Sequence, residues 1–350
     1  MTMSCKVALP LLVVLSVVAL AYAGPPPTQG PIADDLKWRL PPVPYPADNA
    51  PTAQRVALGE RLFFDPRLAK DAQMSCGTCH VPAHGWSDGL PTAHGRNGET
   101  LPRATPSIVN AAYSTIFMWD GRSPTLESQA LLPMDSPNEL AVDWADVLHY
   151  LSGDRGYRET FAAAYPGESI DRRSVGKAIA SFERSIVATD TPFDRWLGGE
   201  TSAMTPQQVR GFRVFTDPAK ANCAACHQAP NFTDDGFHNV GLVSYQDEKT
   251  DAGRYAVRRV RANHGAFKTP SLRNVSLTAP YFHDGSAATL VDVVAHYEAG
   301  GRVKSNLSAN MQPFTLTPQE REDLLAFLVA LTDDRLSIVS PATNAQANAR

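Results

Sequence analysis

The chain has 350 residues with 36 acidic and 32 basic side chains, a formal net charge of −4, and this mild acidity argues against nucleic acid or an anionic membrane as partner. Its length suits two domains of ordinary size. Of its five cysteines, four fall in one repeated motif, which leaves nothing to build a disulfide framework.

At the N-terminus, Lys6, the apolar run Val7 to Leu20 and Ala21-Tyr22-Ala23 before Gly24 have the form of a secretory signal peptide with a small-residue cleavage site. The run is about 14 residues long, short of the about 20 that a membrane span needs. Residues 1–23 are therefore expected to leave on export to the periplasm, taking Cys5 with them, and no membrane association is expected afterwards. Loss of Lys6 moves the net charge from −4 to −5. Residues 24–51 hold nine prolines, among them Pro25, Pro26, Pro27, Pro41 and Pro42, and read as an extended arm.

Residues 52–190 form the first expected domain. Gly59-Glu60-Arg61-Leu62-Phe63-Phe64-Asp65-Pro66 precedes Cys76-Gly77-Thr78-Cys79-His80. In the Cys-x-x-Cys-His pattern the two thiols form thioethers to a haem and the histidine becomes the proximal iron ligand. A zinc site would want four converging Cys/His ligands, and a redox Cys-x-x-Cys needs no histidine at a fixed offset. Val175, Ile179, Phe182 and Ile186 then load one face of a helix.

The second domain is expected at residues 191–340, from a boundary near Thr191-Pro192. Thr205-Pro206-Gln207-Gln208 opens a helix as a capping box with proline at its first position. Gly211-Phe212-Arg213-Val214-Phe215-Thr216-Asp217-Pro218 then repeats the earlier Gly, Arg, Phe, Asp and Pro ahead of Cys223-Ala224-Ala225-Cys226-His227. The recurrence points to a tandem duplication. Thr317-Pro318-Gln319-Glu320 opens a further helix carrying Leu324, Leu325, Phe327, Leu328 and Leu331. No segment alternates over strand length, so the expected fold is mainly α, two cytochrome c-like haem domains with long loops. Residues 341–350 read as a flexible tail.

From about Ala57 to Thr332 the chain resembles the bacterial di-haem cytochrome c peroxidase and MauG family. The resemblance rests on Leu62-Phe63-Phe64-Asp65-Pro66, both haem motifs, Trp119-Asp120-Gly121-Arg122, Phe267-Lys268-Thr269-Pro270-Ser271-Leu272-Arg273-Asn274 and Pro280-Tyr281-Phe282-His283-Asp284-Gly285. It implies two covalent haem c groups, attached at Cys76, Cys79 and His80 and at Cys223, Cys226 and His227. The first would meet hydrogen peroxide and the second would pass electrons, with Trp119 between them. Gln129 and Glu139 fall at the distances from this tryptophan where the family places its peroxide-facing glutamine and glutamate, and Pro133 matches a proline that keeps the distal side of the iron open. A carboxylate there can move a proton between the peroxide oxygens. The competing readings are a core tryptophan for Trp119 and a solvated face for Gln129 and Glu139.

Conventional members close the second iron with a methionine at a set distance after the His-Asp-Gly motif, and that distance from His283 lands on Tyr297, the MauG-type choice. A phenolate is a hard donor that favours oxidised iron. His296 or Met311 could serve instead, Tyr297 then being an ordinary tyrosine on the helix opened by Thr289; on a helix His296 and Tyr297 point about 100° apart, so both cannot serve. His84 and His94 read as loop residues, and His238 and His283 as residues that order loops by hydrogen bonds. The resemblance also implies a calcium ion held by the carbonyls of Thr278 and Pro280, although Ala104 follows Arg103 where the family has an asparagine ligand.

The function implied is a periplasmic di-haem enzyme that uses peroxide to oxidise a protein partner through a high-valent di-haem state. The alternatives are a peroxidase that scavenges peroxide with electrons from a small cytochrome or cupredoxin, and a non-enzymatic di-haem electron carrier. MauG has a surface tryptophan just before its second haem motif; Ala221 stands there here, and Trp196 is the expected alternative surface relay.

Overall fold

The computed structural model describes Met1 and residues 29–242 and 251–337. The signal peptide beyond Met1, Cys5 and the 341–350 tail lie outside the described residues, and no described helix is long and apolar enough to cross a membrane.

Ten α-helices carry the described fold: α1 (Ala53–Phe63), α2 (Cys76–Cys79), α3 (Leu126–Asp135), α4 (Trp144–Gly153), α5 (Arg155–Ala164), α6 (Arg172–Glu183), α7 (Pro192–Leu197), α8 (Pro206–Thr216), α9 (Leu290–Glu298) and α10 (Pro318–Val329). The one sheet among these residues pairs β1 (Phe237–His238) with β2 (Phe267–Lys268). Helix starts follow local chemistry. Thr205, Thr289 and Thr317 each accept a hydrogen bond from the N–H three residues on, and the side chains of Gln208, Asp292 and Glu320 each accept one from the cap N–H.

Two hydrophobic clusters form the core. One gathers Leu58, Leu62, Phe63, Trp86, Val175, Ile179 and Ile186, with Phe63, Phe64, Trp86 and Phe182 in edge-on or tilted ring contact. The other gathers Trp38, Phe193, Trp196, Phe212, Phe215, Phe232 and Phe327. In each cluster two helices cross at a glycine. A Cβ on Gly59 of α1 would lie 2.0 Å from the Ala178 carbonyl oxygen of α6, and one on Gly211 of α8 would lie 1.9 Å from that of Asp323 on α10. Only a residue without a side chain lets the backbones approach so closely.

The proline-rich arm is not extended throughout. Ala33–Trp38 is a 3-10 helix, Trp38 is buried in the second cluster, and Asp35 pairs with Arg213 at 2.6 Å. At the other end Leu336 packs on the first cluster and its carbonyl accepts from Trp86 Nε1 at 2.9 Å. Each terminal segment thus covers the core more distant from it in sequence.

Candidate active site

Both Cys-x-x-Cys-His motifs build the same local device. The His80 amide bonds back to the Cys76 carbonyl at 3.0 Å and the His227 amide to that of Cys223 at 2.9 Å, which sets each histidine at the end of its turn. His80 Nδ1 donates to the Trp86 carbonyl and His227 Nδ1 to that of Phe232, both at 3.0 Å. A carbonyl only accepts, so each Nδ1 carries the proton and each Nε2 keeps its lone pair for a metal. Burial lowers both imidazole pKa values, which keeps the rings neutral. The four cysteines are unpaired, and burial pushes the thiols of Cys76, Cys79 and Cys223 up, Cys79 to about 11 and Cys223 to about 12, unlike the low-pKa thiolate of a redox pair.

Next to His80 lies a cavity of about 860 Å³ whose lining includes Cys79, Trp119, Gln129, Pro133, Glu139, Thr278 and Pro280. The structure therefore brings together every residue assigned to the peroxide side. Gln129 and Pro133 sit one turn apart on α3. Glu139 follows in a turn closed by its N–H to the Ser136 carbonyl at 3.1 Å. Its carboxylate is within electrostatic reach of Cys76 and Cys79, and burial raises its pKa against the pull of Ser136 and Arg122. Gln129 Oε1 is buried with no partner.

Trp119 stands where the two halves meet. Its Nε1 donates to the Ala104 carbonyl at 2.8 Å, and its own carbonyl accepts from Lys268 N on β2 at 2.8 Å. Its ring lies 6.4 Å from that of His283. His283 stacks on Phe267 at 3.5 Å and burial depresses its pKa to about 4, while its carbonyl accepts from Ala104 N at 2.7 Å. His238 bonds Asp234 at 2.8 Å, which raises its pKa to about 10.

The duplication runs further than the sequence comparison recognised. Thr105-Pro106-Ser107-Ile108-Val109-Asn110 recurs as Thr269-Pro270-Ser271-Leu272-Arg273-Asn274, and both asparagines are left-handed, at φ 59° and 58°. Trp119-Asp120-Gly121 recurs as His283-Asp284-Gly285, each preceded by a residue at φ 71° and each bracketed by a bridge, Phe117 to Ser123 and Tyr281 to Ala287. Thr125 caps α3 as Thr289 caps α9. At the same separation along the chain, Pro133 on α3 corresponds to Tyr297 on α9. The signal was a short Thr-Pro-Ser and Asp-Gly pattern, too sparse to register beside the haem motifs.

Burial raises the Tyr297 phenol pKa, with both Cys223 and Cys226 close enough to add to the effect. His296 bonds the Val240 carbonyl through Nε2 at 2.7 Å and its Nδ1 is buried without a partner, and Met311 lines a cavity of about 350 Å³ with Leu307 and Pro313. Trp196 is not a surface relay. It is fully buried against Phe193 and Phe212, with Nε1 bonded to the Gln29 carbonyl at 2.9 Å.

Sequence reasoning gave no role to Arg273. It is buried in the cavity wall, its Nη1 reaches Asp194 at 2.5 Å, and its Nε and Nη2 have no partner. Two orphaned guanidinium nitrogens beside an apolar-lined cavity suit an acidic group such as a haem propionate. With the free cysteines and the open Nε2 atoms they make a donor set that fits haem c. Calcium finds less. Ala104 offers no side-chain oxygen and its carbonyl is taken by Trp119, while the Arg103 cation already bridges Asp120 at 2.7 Å and Asp251 at 2.5 Å. The single His/Cys/Asp/Glu grouping of metal-binding compactness among the described residues is Cys226, Asp234 and His238, and Cys226 belongs to the haem motif.

The family profile described as di-haem cytochrome c peroxidase matches residues 53–202, and that of cytochrome c matches residues 208–332. The methylamine utilization protein MauG of Methylorubrum extorquens is 44% identical over 300 residues, 85% of this chain and 84% of that protein. A cytochrome-c peroxidase of Denitromonas iodatirespirans is 36% identical over 359 residues, 90% of this chain and 92% of that one. The crystal structure of a MauG-like protein associated with microbial copper homeostasis superposes with a TM-score of 0.81 at 31% identity, covering 91% of this chain and 97% of the other.

Proposed function

The chain belongs to the di-haem cytochrome c peroxidase and MauG family, and from that premise we propose a MauG-like periplasmic enzyme that uses hydrogen peroxide to oxidise residues of a protein partner. The family makes it a peroxidase-type oxidoreductase with two haem c groups. Cys76, Cys79 and His80 would hold one, Cys223, Cys226, His227 and Tyr297 the other, with Arg273 meeting a carboxylate. When bound, haem c supplies the two-electron reduction of peroxide and storage of the oxidising equivalents.

The residues around the cavity handle protons and position. Glu139, with its pKa raised by burial, can accept the proton of the inner peroxide oxygen and return it to the outer one, so that water leaves. Gln129 can accept a hydrogen bond from peroxide through its unpartnered Oε1. Pro133 offers no donor atom to an iron, so that side stays open. Trp119, hydrogen-bonded to both halves, is the element through which they would exchange electrons.

The observation that carries the MauG-like reading is the pairing of Pro133 with Tyr297 at equivalent places of the repeat: one unit open, the other offered a phenol where scavenging members have a thioether. Electron paramagnetic resonance of the oxidised protein tests it. The expected spectrum has one high-spin and one low-spin haem, and Tyr297→Phe should remove the low-spin signal and shorten the peroxide-oxidised state. An unchanged low-spin signal would overturn the ligand assignment. Rapid peroxide-driven turnover of a small cytochrome or cupredoxin would establish scavenging instead.

A further inference from the structure

Every residue from Ala256 to Ala262 is exposed, in the order Ala-Val-Arg-Arg-Val-Arg-Ala, with Val257 at 45% and Val260 at 49%. On a chain of net charge −4 this is a basic island with apolar residues between its cations. Its backbone is pinned: Arg258 N bonds the Arg254 carbonyl at 2.8 Å and Asn263 Nδ2 the Arg258 carbonyl at 3.0 Å. Arg254 in turn donates to the carbonyls of Asp120 and Gly121 at 2.9 and 2.7 Å. The Arg259 guanidinium lies 5.6 Å from the Tyr255 ring. The cations are thus presented from a fixed platform, which lowers the ordering cost of binding.

The island also has an address. Asn306 Nδ2 reaches the carbonyls of Arg261 and His264 at 3.2 and 2.9 Å, and the segment that begins there runs to Asn310, whose amide lies 3.9 Å from Cys226 Sγ. One short segment therefore separates the basic loop from a thiol that attaches the second haem.

We infer that the loop from Val257 to Arg261 is the docking surface for an acidic redox protein, which exchanges electrons with the second haem across the segment 306–310. The inference rests on the electron-transfer role given to that haem above. Charge complementarity selects the occupant: an acidic surface is attracted to this loop and repelled by the rest of the chain, which steers and orients the encounter, while the exposed valines supply the apolar contact at its centre.

The test titrates unlabelled holoenzyme into an isotope-labelled acidic cupredoxin and follows its amide resonances. Binding is expected to weaken by about tenfold or more in Arg258→Glu/Arg259→Glu, and on raising salt from about 20 to about 200 mM with the unsubstituted enzyme. Arg155→Glu, on the first unit, should bind as the wild type does. The inference is overturned by equal binding of a strongly basic cytochrome c, by unchanged binding in the double variant, or by binding of the holoenzyme to phosphatidylglycerol vesicles that the double variant abolishes. If that variant does not fold, the salt series and the basic-cytochrome comparison decide. Peroxide-driven oxidation of uncharged ferrocenemethanol is measured alongside; its absence defeats the enzymatic reading and leaves the docking result standing on its own.

Discussion

At the scale of single residues Glu183 is a buried carboxyl that the proposed chemistry does not use. Glu183, at the end of α6, is 3% exposed, its Oε2 has no partner, and burial raises its pKa from 4.5 to about 8. A folded-state pKa above the unfolded one means that the native protein binds the proton more tightly. Its contribution is fully present below about pH 4.5 and is lost progressively as pH rises to about 8, by about 1.36 kcal/mol for each pH unit. Glu183→Gln should flatten this dependence and stabilise the holoprotein at pH 8 by a few kcal/mol. Thermal unfolding of both proteins at pH 5 and pH 8 measures it, and parallel pH profiles would refute it. Residues of this kind mark where sequence reading stops. Cys76 and His80 are legible because they belong to one contiguous motif, and Tyr297, the proposed ligand of the second iron, is reached by its distance from His283. Glu183 and Arg273 are not, because segments far apart in sequence bury them, and Trp196 was misjudged for the same reason: Phe193, Phe212 and the Gln29 carbonyl enclose it.

At the scale of elements the duplicated helix pairs are the readable part of the fold. The Gly-x-Arg-x-Phe register repeats because both units cross two helices at the glycine, and capping boxes at Thr205, Thr289 and Thr317 mark helix starts locally. The 3-10 helix at Ala33–Trp38 was not foreseen, since its stability comes from seating Trp38 in the distant core. Gly211→Ala should be costly, because its Cβ would meet the Asp323 carbonyl at 1.9 Å and the α8–α10 pair must separate. The expected loss is about 1–3 kcal/mol, a fall in Tm of roughly 2–4 °C per kcal/mol. Gly153→Ala, in α4 with nothing near its Cβ, should be neutral or stabilising by up to about 1 kcal/mol. Equal Tm values for the two variants would show that the close crossing is not what the glycine serves.

At the scale of the whole molecule, what must be explained is how two haem units hold a fixed relation when their cores are separate. The junction is polar and depends on Arg103, which bonds Asp120 in the first half and Asp251 in the second. Around it, Ala104 N reaches the His283 carbonyl and Lys268 N that of Trp119, so the backbone bonds that seat Trp119 lie within the same network. Burial works against the Asp251 carboxylate, yet Arg103 holds its pKa below the usual value, and removing the cation leaves Asp251 without its partner while Asp120 keeps Arg122 alone. Breaking such a pair from one side costs about 3–5 kcal/mol when buried, less here because Arg103 and Asp251 keep some solvent contact. Arg103→Ala should therefore loosen the junction without unfolding either core. Hydrogen exchange reads this directly: the amides of Ala104 and Lys268 should exchange at least about tenfold faster, equivalent to about 1.4 kcal/mol of lost protection, while those of α1 and α6 stay as slow as before. Unchanged protection at Ala104 and Lys268 would mean that backbone pairing alone holds Trp119 between the halves. Uniform loss across α1 and α6 would mean that the two units unfold as one, and that the junction is part of a single cooperative core.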